Sequence, residues 1–308
     1  MTLTPGRYRF ITWAALFALV AIVVTGAAVR LTGSGLGCDD WPGCNSQRLI
    51  DVSSKHAAIE QVNRLFTGLV SVAVIAAVLG SLLRVPRRPD LLYLSLGLVA
   101  GVVAQVVLGG VTVLVDLHPL AVQGHMLVSL VLVGTAVVLV QRASQPDDGP
   151  AVRPVSPEIN RHTAVAGGLT AVALVTGTVV TGAGPHAGDE DVQRFGVAIS
   201  SAARVHGVAV WLAIVAMVAL AVRLRSRATE RAEIAEWVSA WIFVALLQGA
   251  VGYIQYFNDV PELLVGVHVF GATVLWSITV AFVLRTMPLR RVEQAAAAGA
   301  VSPVLSVS

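Results

Sequence analysis

Four polar positions stand where the surrounding chain is almost wholly apolar: Asn63, His125, His206 and His268. Each lies one to two turns inside a long hydrophobic run, about 6–12 Å deep at 1.5 Å per residue. Asn63 and His125 are 62 residues apart, and so are His206 and His268. Imidazole and amide groups at that depth are costly in lipid unless they face the interior of a helix bundle. Two imidazoles on facing helices can hold a heme iron from both sides, and His206 with His268 is such a pair. The plainer reading is two separate histidines, each hydrogen-bonded to a neighbouring helix. The repeated spacing favours iron ligation. Zinc fits less well, because no Cys, Asp or third His joins the pair at metal-ligand spacing.

The stretch AIEQVNRLF, residues 58–66, adds Glu60 and Arg64 beside Asn63. Glu60 lies one turn before Asn63, so both side chains share a helix face. A carboxylate there can shuttle protons or steady a developing charge beside a bound macrocycle. Its structural alternative is an intramembrane ion pair with Arg64 or Arg30. The two cysteines, Cys38 and Cys44, fall in the first external loop. An oxidising exterior makes a disulfide the default, stabilising by roughly 2 kcal/mol in the chain-entropy description. A redox-active pair that passes electrons is the other use. Gln105 and Gln248 are expected to bond between helices. Asp116 and Asp259 are expected at helix starts or in loops. His56, His118, His162 and His186 fall in loops or at span ends and are assigned no chemistry.

The elements that must position these residues are membrane helices. Of 308 residues, 56% are hydrophobic and 13% charged, the latter about half the charge of a soluble domain. Recurrent runs of about twenty apolar residues mark a polytopic all-α integral membrane protein. A soluble helical protein is excluded, since no stretch shows a charged helical face of useful length. Eight spans are predicted: 10–30, 57–83, 91–115, 119–141, 162–183, 199–222, 234–257 and 262–285. The first follows Arg7 and Arg9 but is too long for a signal-peptide core, so it is read as a retained helix. Arginines at 84, 87, 88, 142, 153, 161, 223, 225, 227, 231, 285, 290 and 291 fall on the same side as Arg7 and Arg9. By the positive-inside rule both termini are cytoplasmic. The net charge of +3 thus describes topology. No basic, aromatic-interleaved patch exists for nucleic acid.

The chain reads as duplicated. QVVLGGVTVLVDLHPLAVQGH, from Gln105 to His125, aligns without gaps on QGAVGYIQYFNDVPELLVGVH, from Gln248 to His268, at an offset of 143. VVTGAAVR at 23–30 resembles LVTGTVVTG at 174–182 at an offset of 151. Four spans per half preserve orientation, so the repeat is parallel about an axis along the membrane normal. The expected units are a first four-helix half, 1–141, with the external Cys loop at 31–56; a cytoplasmic linker, 142–161; a second four-helix half, 162–286; and a disordered cytoplasmic tail, 287–308. The two pseudo-symmetric bundles are not equivalent. Glu60, Asn63 and Arg64 stand where the second half has Ala203, His206 and Gly207. That asymmetry points to a division of labour in which one half reacts and the other carries electrons.

Together AVRLTGSGLGCDDWPGC, IEQVNRLFTGLV, VQGHMLV, RVHGVAVW and VGVHVFGA resemble heme A synthase over nearly the whole chain. The resemblance implies oxidation of the C8 methyl group of heme O to a formyl group, by two successive hydroxylations and loss of water, to supply heme A to cytochrome c oxidase. It implies His206 and His268 as axial ligands of a resident heme b. It places substrate heme O between Asn63 and His125 with Arg64 nearby, makes Glu60 the functional carboxylate and joins Cys38 to Cys44 in a disulfide. The family's usual pattern has His where this chain has Asn63. Asn is a poor iron ligand, so His125 alone would hold the substrate iron and leave its other face open. The heme O synthase, a farnesyltransferase, is the implied partner, beside the lipid bilayer and an electron acceptor that the sequence does not name. The oxygen source and oligomeric state are equally unspecified. An Arg- and Ala-rich, Lys-poor composition fits the plasma membrane of a bacterium. Two alternatives use the same residues. A di-heme b, quinol-linked electron carrier requires a fourth His that the chain lacks. A transporter built on an internal repeat would have broken helices near the midplane, whereas the polar residues here cluster near the outer end.

Overall fold

The computed structural model describes residues 2–290. Eight of its helices are long and apolar enough to cross a membrane. They are α1 (Pro5–Leu31), α2 (Lys55–Leu83), α3 (Pro89–Leu114), α4 (Pro119–Ala143), α5 (Pro157–Ala183), α6 (Ile199–Leu224), α7 (Ala228–Phe257) and α8 (Glu262–Arg285). Local chemistry sets their ends. Thr4 and Ser156 cap α1 and α5 by accepting the N–H of Arg7 and of Ile159, each with a proline in the first turn, where proline loses no bond and its φ suits the helix. Ser54 caps α2 by accepting from Ala57. These caps carry α1 and α5 about five residues beyond the predicted starts at 10 and 162. Hydropathy alone does not register such solvated first turns.

The expected linker, 142–161, is shorter than its composition indicates, because α5 already begins at Pro157. Within it the strand β1 (Ala151–Val152) pairs antiparallel with β2 (Leu289–Arg290). Two residues assigned to the tail therefore belong to a paired ladder. The rest of the expected tail, from 291 onward, lies outside the described residues.

Helix α1 packs against α2 and α4, and α3 packs against the same two; α5 packs against α6 and α8, and α7 against the same two. Helices α2 and α4 thus occupy one diagonal, and α6 and α8 another. Contacts of α1 and α4 with α8, and of α4 with α5, join the two groups. One apolar cluster includes Tyr8, Leu91, Leu98, Val133 and Leu139. A second includes Ile159, Met217, Leu220, Trp241 and Phe282. Both are weighted toward the arginine-rich end, leaving the opposite end for the polar residues. On the outside, Phe10, Phe17, Tyr93 and Phe243 are 68–75% exposed, an expense in water but not against lipid tails.

The arginine-rich end is laced by ion pairs. Arg84 meets Asp147 at 2.7 Å, Arg88 meets Asp90 at 2.7 Å, and Arg227 meets Glu158 at 2.5 Å. At the other end, Asp116 and Leu117 between α3 and α4 adopt φ of 50° and 53°. Asp259 and Val260, at the matching place between α7 and α8, adopt 55° and 57°. A left-handed pair containing Leu or β-branched Val costs roughly 1–2 kcal/mol per residue. These turns aim α4 and α8, and hence His125 and His268, back into the membrane.

Candidate functional site

His206 on α6 and His268 on α8 face each other across a diagonal, ring centroids 6.5 Å apart and ring planes at 84°. Nδ1 of His206 lies 2.9 Å from the carbonyl of Ala173. A carbonyl only accepts, so Nδ1 carries the proton and Nε2 keeps its lone pair for another partner. Nδ1 of His268 is buried without a partner. Each ring packs on a glycine, tightly at Gly177 and at ordinary contact distance at Gly252. A Cβ on Gly177 would lie 3.1 Å from Cε1 of His206, and one on Gly252 would lie 3.4 Å from Cε1 of His268.

A metal bound to imidazole nitrogens at about 2 Å spaces the two ring centroids by roughly 6 Å, so this separation accommodates one atom between the rings. Two nitrogens are too few for a closed protein-only metal site. No cluster of three or more His, Cys, Asp or Glu able to hold a metal occurs among the described residues. The pair fits a metal whose remaining ligands come with it, as in a porphyrin.

On the other diagonal the arrangement is half-repeated. His125 on α4 leans on Gly109 of α3, with Cε1 3.5 Å from that residue's Cβ position, and its Nδ1 is buried and partnerless. Gln105 holds the backbone carbonyl of His125 at 3.0 Å and also bonds Ser129. Across the diagonal, Oδ1 of Asn63 is likewise buried without a partner. No hydrogen bond joins Asn63 to His125 among the described residues. Gln248, expected to bond between helices like Gln105, has no partner for its Oε1 and instead lies against Gly271. Ala272 lies four residues after His268, as Ser129 lies four after His125, so a hydroxyl like the one Gln105 uses is missing there.

Glu60 and Arg64 build a third cluster with the loop between α1 and α2. Glu60 is 6% exposed. Its Oε1 accepts from Nε and Nη2 of Arg64 at 3.0 and 2.6 Å, and its Oε2 accepts from the backbone N–H of Cys38 at 2.8 Å. Arg64 also donates to the carbonyls of Gly43 and Asp40, at 2.9 and 3.1 Å. Of the two ion-pair partners envisaged for Glu60, Arg64 is the one it meets. Cys38 and Cys44 are disulfide-bonded, so the carboxylate–guanidinium pair grips both ends of the ring that the disulfide closes. Further along the loop, Asp51 is held below the ordinary carboxylate range, first by the backbone N–H of Ser53, and then by the Ser53 hydroxyl, Arg48 and Asn45.

Three positioning contacts escaped the sequence reading. Trp41, between the cysteines, lays its indole over Gly110 of α3, within 2.6 Å of where a Cβ would be. The adjacent glycines of α3 therefore seat His125 on one side and the loop on the other. Arg30 donates to the carbonyl of Thr181, 151 residues away. Trp276 of α8 donates to the carbonyl of Leu130 on α4 at 2.8 Å, tying together the helices of His268 and His125. The GlyGly dipeptide at 109–110 was visible in the sequence, but the loop's path over it was not. Of the remaining histidines, His56 bonds Ser34, His162 bonds the Ala216 carbonyl and His186 bonds the Val260 carbonyl, all structural contacts.

Over residues 9–280 the sequence matches a family described as cytochrome oxidase assembly protein, COX15-CtaA. It is similar to the heme A synthase of Shewanella oneidensis, 29% identical over 152 residues, which are 43% of this chain and 45% of that one. It is similar to the heme A synthase of Geobacillus kaustophilus, 29% identical over 113 residues, 37% and 35% of the two chains. A shorter stretch is 38% identical over 71 residues to that of Lysinibacillus sphaericus, 22% and 23% of the two chains. The matched stretches span less than half the length of these relatives.

Proposed function

The chain belongs to the COX15-CtaA family of cytochrome oxidase assembly proteins, and from that premise we propose that it is a heme A synthase. The reaction is oxidation of the heme O methyl group at C8 to a formyl group, through two hydroxylations and a dehydration. Its product supplies cytochrome c oxidase. The observation that carries this reading is the opposed pair His206 and His268, whose 6.5 Å separation admits one iron.

In this proposal the chain is two four-helix halves related by a parallel pseudo-twofold axis, both termini are cytoplasmic, and the membrane is a bacterial plasma membrane. The matched left-handed turns at 116–117 and 259–260 support the repeat. The disulfide at the end opposite the arginines supports the orientation. His206 and His268 hold heme b, which supplies one-electron transfer when bound. Ala173 fixes the His206 tautomer so that Nε2 points its lone pair away from α5.

The first half takes heme O. His125 holds its iron from one side, and Asn63, a poor ligand, leaves the other side open. Glu60 is the acid–base group, held in place by Arg64 and the N–H of Cys38. Heme O synthase is the proposed donor of substrate. The shortfall of one histidine stands against the di-heme carrier, because two equivalent bis-imidazole sites require four.

Co-expression with a heme O producer, followed by chromatography of extracted hemes, tests the proposal. Heme A in the extract is the expected result. Heme b alone would convert the protein into an electron carrier, and a colourless preparation would remove heme altogether.

A further inference from the structure

Two guanidiniums converge on the outer end of α5. Arg30, in the last turn of α1, donates Nη2 to the carbonyl of Thr181 at 2.5 Å. Arg194, in the loop between α5 and α6, donates Nη1 to the carbonyl of Gly184 at 2.5 Å. Their two acceptor residues are themselves joined, the N–H of Gly184 donating to the Thr181 carbonyl at 3.4 Å, so both guanidiniums meet the same helix end. Neither forms an ion pair among the described residues, and Nε of Arg30 is buried without an acceptor. This contrasts with Arg64, Arg84, Arg88 and Arg227, each of which meets a carboxylate. The last carbonyls of α5 contribute only about half a negative charge. Asp189, Glu190 and Asp191 share the loop of Arg194, yet neither guanidinium has a carboxylate within ion-pair distance among the described residues, which leaves both able to take an anion.

The position identifies the anion. Thr181 lies one turn outward from Gly177, the glycine on which the His206 ring rests. Leu31, next to Arg30, reaches within 3.4 Å of the Cβ position of Gly266, two residues before His268 on α8. Arg30 comes from the first group of helices, yet it stands at the mouth of the His206–His268 pair.

We infer that Arg30 and Arg194 form a receptor for paired carboxylates, the propionates of the porphyrin held between His206 and His268. The inference rests on the heme reading above. A lipid phosphate shares the anionic chemistry. The porphyrin is favoured because both cations bond the outer end of the helix that carries the His206 seat, Arg30 at Thr181 about one turn above Gly177 and Arg194 at Gly184, the residue that closes the helix, about two turns above it. The two propionates of one porphyrin also match two guanidiniums.

The test uses full-length protein stripped of heme and reconstituted with hemin or with hemin dimethyl ester, whose propionates carry no charge. The low-spin bis-imidazole spectrum reports binding at His206 and His268. Hemin should bind roughly tenfold to a hundredfold more tightly than the ester, the range expected of charge-assisted hydrogen bonds. Arg30→Gln and Arg194→Gln should each shrink that ratio, and Arg30→Lys should keep part of it. Arg30→Gln should also lower the heme midpoint potential, since loss of a nearby positive charge favours ferric iron. A purely structural latch would move neither readout.

Equal binding of hemin and ester by the unmodified protein would overturn the inference and leave the heme reading standing; this comparison needs no variant to fold. Equal binding, with an anionic phospholipid that co-purifies with the protein and is lost in Arg30→Gln, would assign the cations to lipid and likewise overturn it. No low-spin spectrum with either compound would remove the heme reading and this inference with it.

Discussion

The backbone N–H of Cys38 donates to Oε2 of Glu60 at 2.8 Å, while Arg64 occupies Oε1 of the same carboxylate. One acidic side chain thereby ties a transmembrane helix to the loop closed by the disulfide. Removing Arg64 strands a buried carboxylate, and removing Glu60 strands a guanidinium. Arg64→Met is expected to lower stability by about 2 kcal/mol or more. The Glu60→Gln, Arg64→Met double variant should recover part of that loss. Thermal unfolding in detergent measures both, and strict additivity of the two single changes would show that the pair is not coupled. Glu60→Gln alone should reduce heme A yield by roughly a hundredfold or more, the range of a lost acid–base group.

The two diagonals should respond differently to mutation. His206→Ala or His268→Ala should each abolish the low-spin heme b spectrum. His125→Ala should abolish heme A formation while that spectrum survives. Turnover retained in His125→Ala would remove this residue from the substrate site.

Asn63→His should complete a second pair of imidazoles. The expected result is a second low-spin heme and loss of heme A formation, because a saturated iron leaves the substrate no open face. Unchanged activity and an unchanged substrate-heme spectrum would take away the basis of the open-face reading.

Gly110→Ala places a methyl group 2.6 Å from the Trp41 indole. The ring must move, at a cost of about 1–3 kcal/mol. Tryptophan fluorescence should shift toward a more exposed ring. The double variant Trp41→Ala, Gly110→Ala should restore most of the stability lost by Gly110→Ala relative to Trp41→Ala alone. If Gly110→Ala leaves both stability and fluorescence unchanged, the loop is not seated on α3.

Loop order should depend on acid. Asp51 is held below its ordinary range by Ser53, Arg48 and Asn45. A carboxyl depressed in the folded state stabilises fully above its unfolded pKa, near 4, and progressively less as pH falls below it through the folded value. Pepsin cleavage around residues 45–53 should therefore rise as pH drops below about 4. Asp51→Asn should be cleaved readily at every pH in that range. Equal cleavage of the two proteins across it would show that this carboxylate does not order the loop.

Much of this arrangement could be read along the chain because lipid leaves few options. Long apolar runs had to be helices, and the equal 62-residue spacings placed His206 and His268 at matched depths on the same diagonal. What escaped depends on where irregular backbone travels. The seat of Trp41 on Gly110 requires knowing the course of the loop from 32 to 54. The reach of Arg30 to Thr181 requires knowing how α1 meets α5. Gln248 shows the limit of arguing by repeat. Gln105 bonds the hydroxyl of Ser129, four residues after His125, whereas the residue four after His268 is Ala272, which offers none. Glu60 was legible as unusual but not as anchored to the loop, since its partners include a main-chain N–H that no side-chain pattern announces.

Around Gly177 the chain is crowded by an imidazole, whereas a Cβ built on Gly26, the matching glycine of α1, would meet nothing within 4 Å. The glycine of α1 thus has no ring resting on it, as the glycine of α5 does. An added methyl group would be borne at residue 26 and would press on the imidazole at residue 177, so one and the same glycine-to-alanine change is silent in α1 and disruptive in α5.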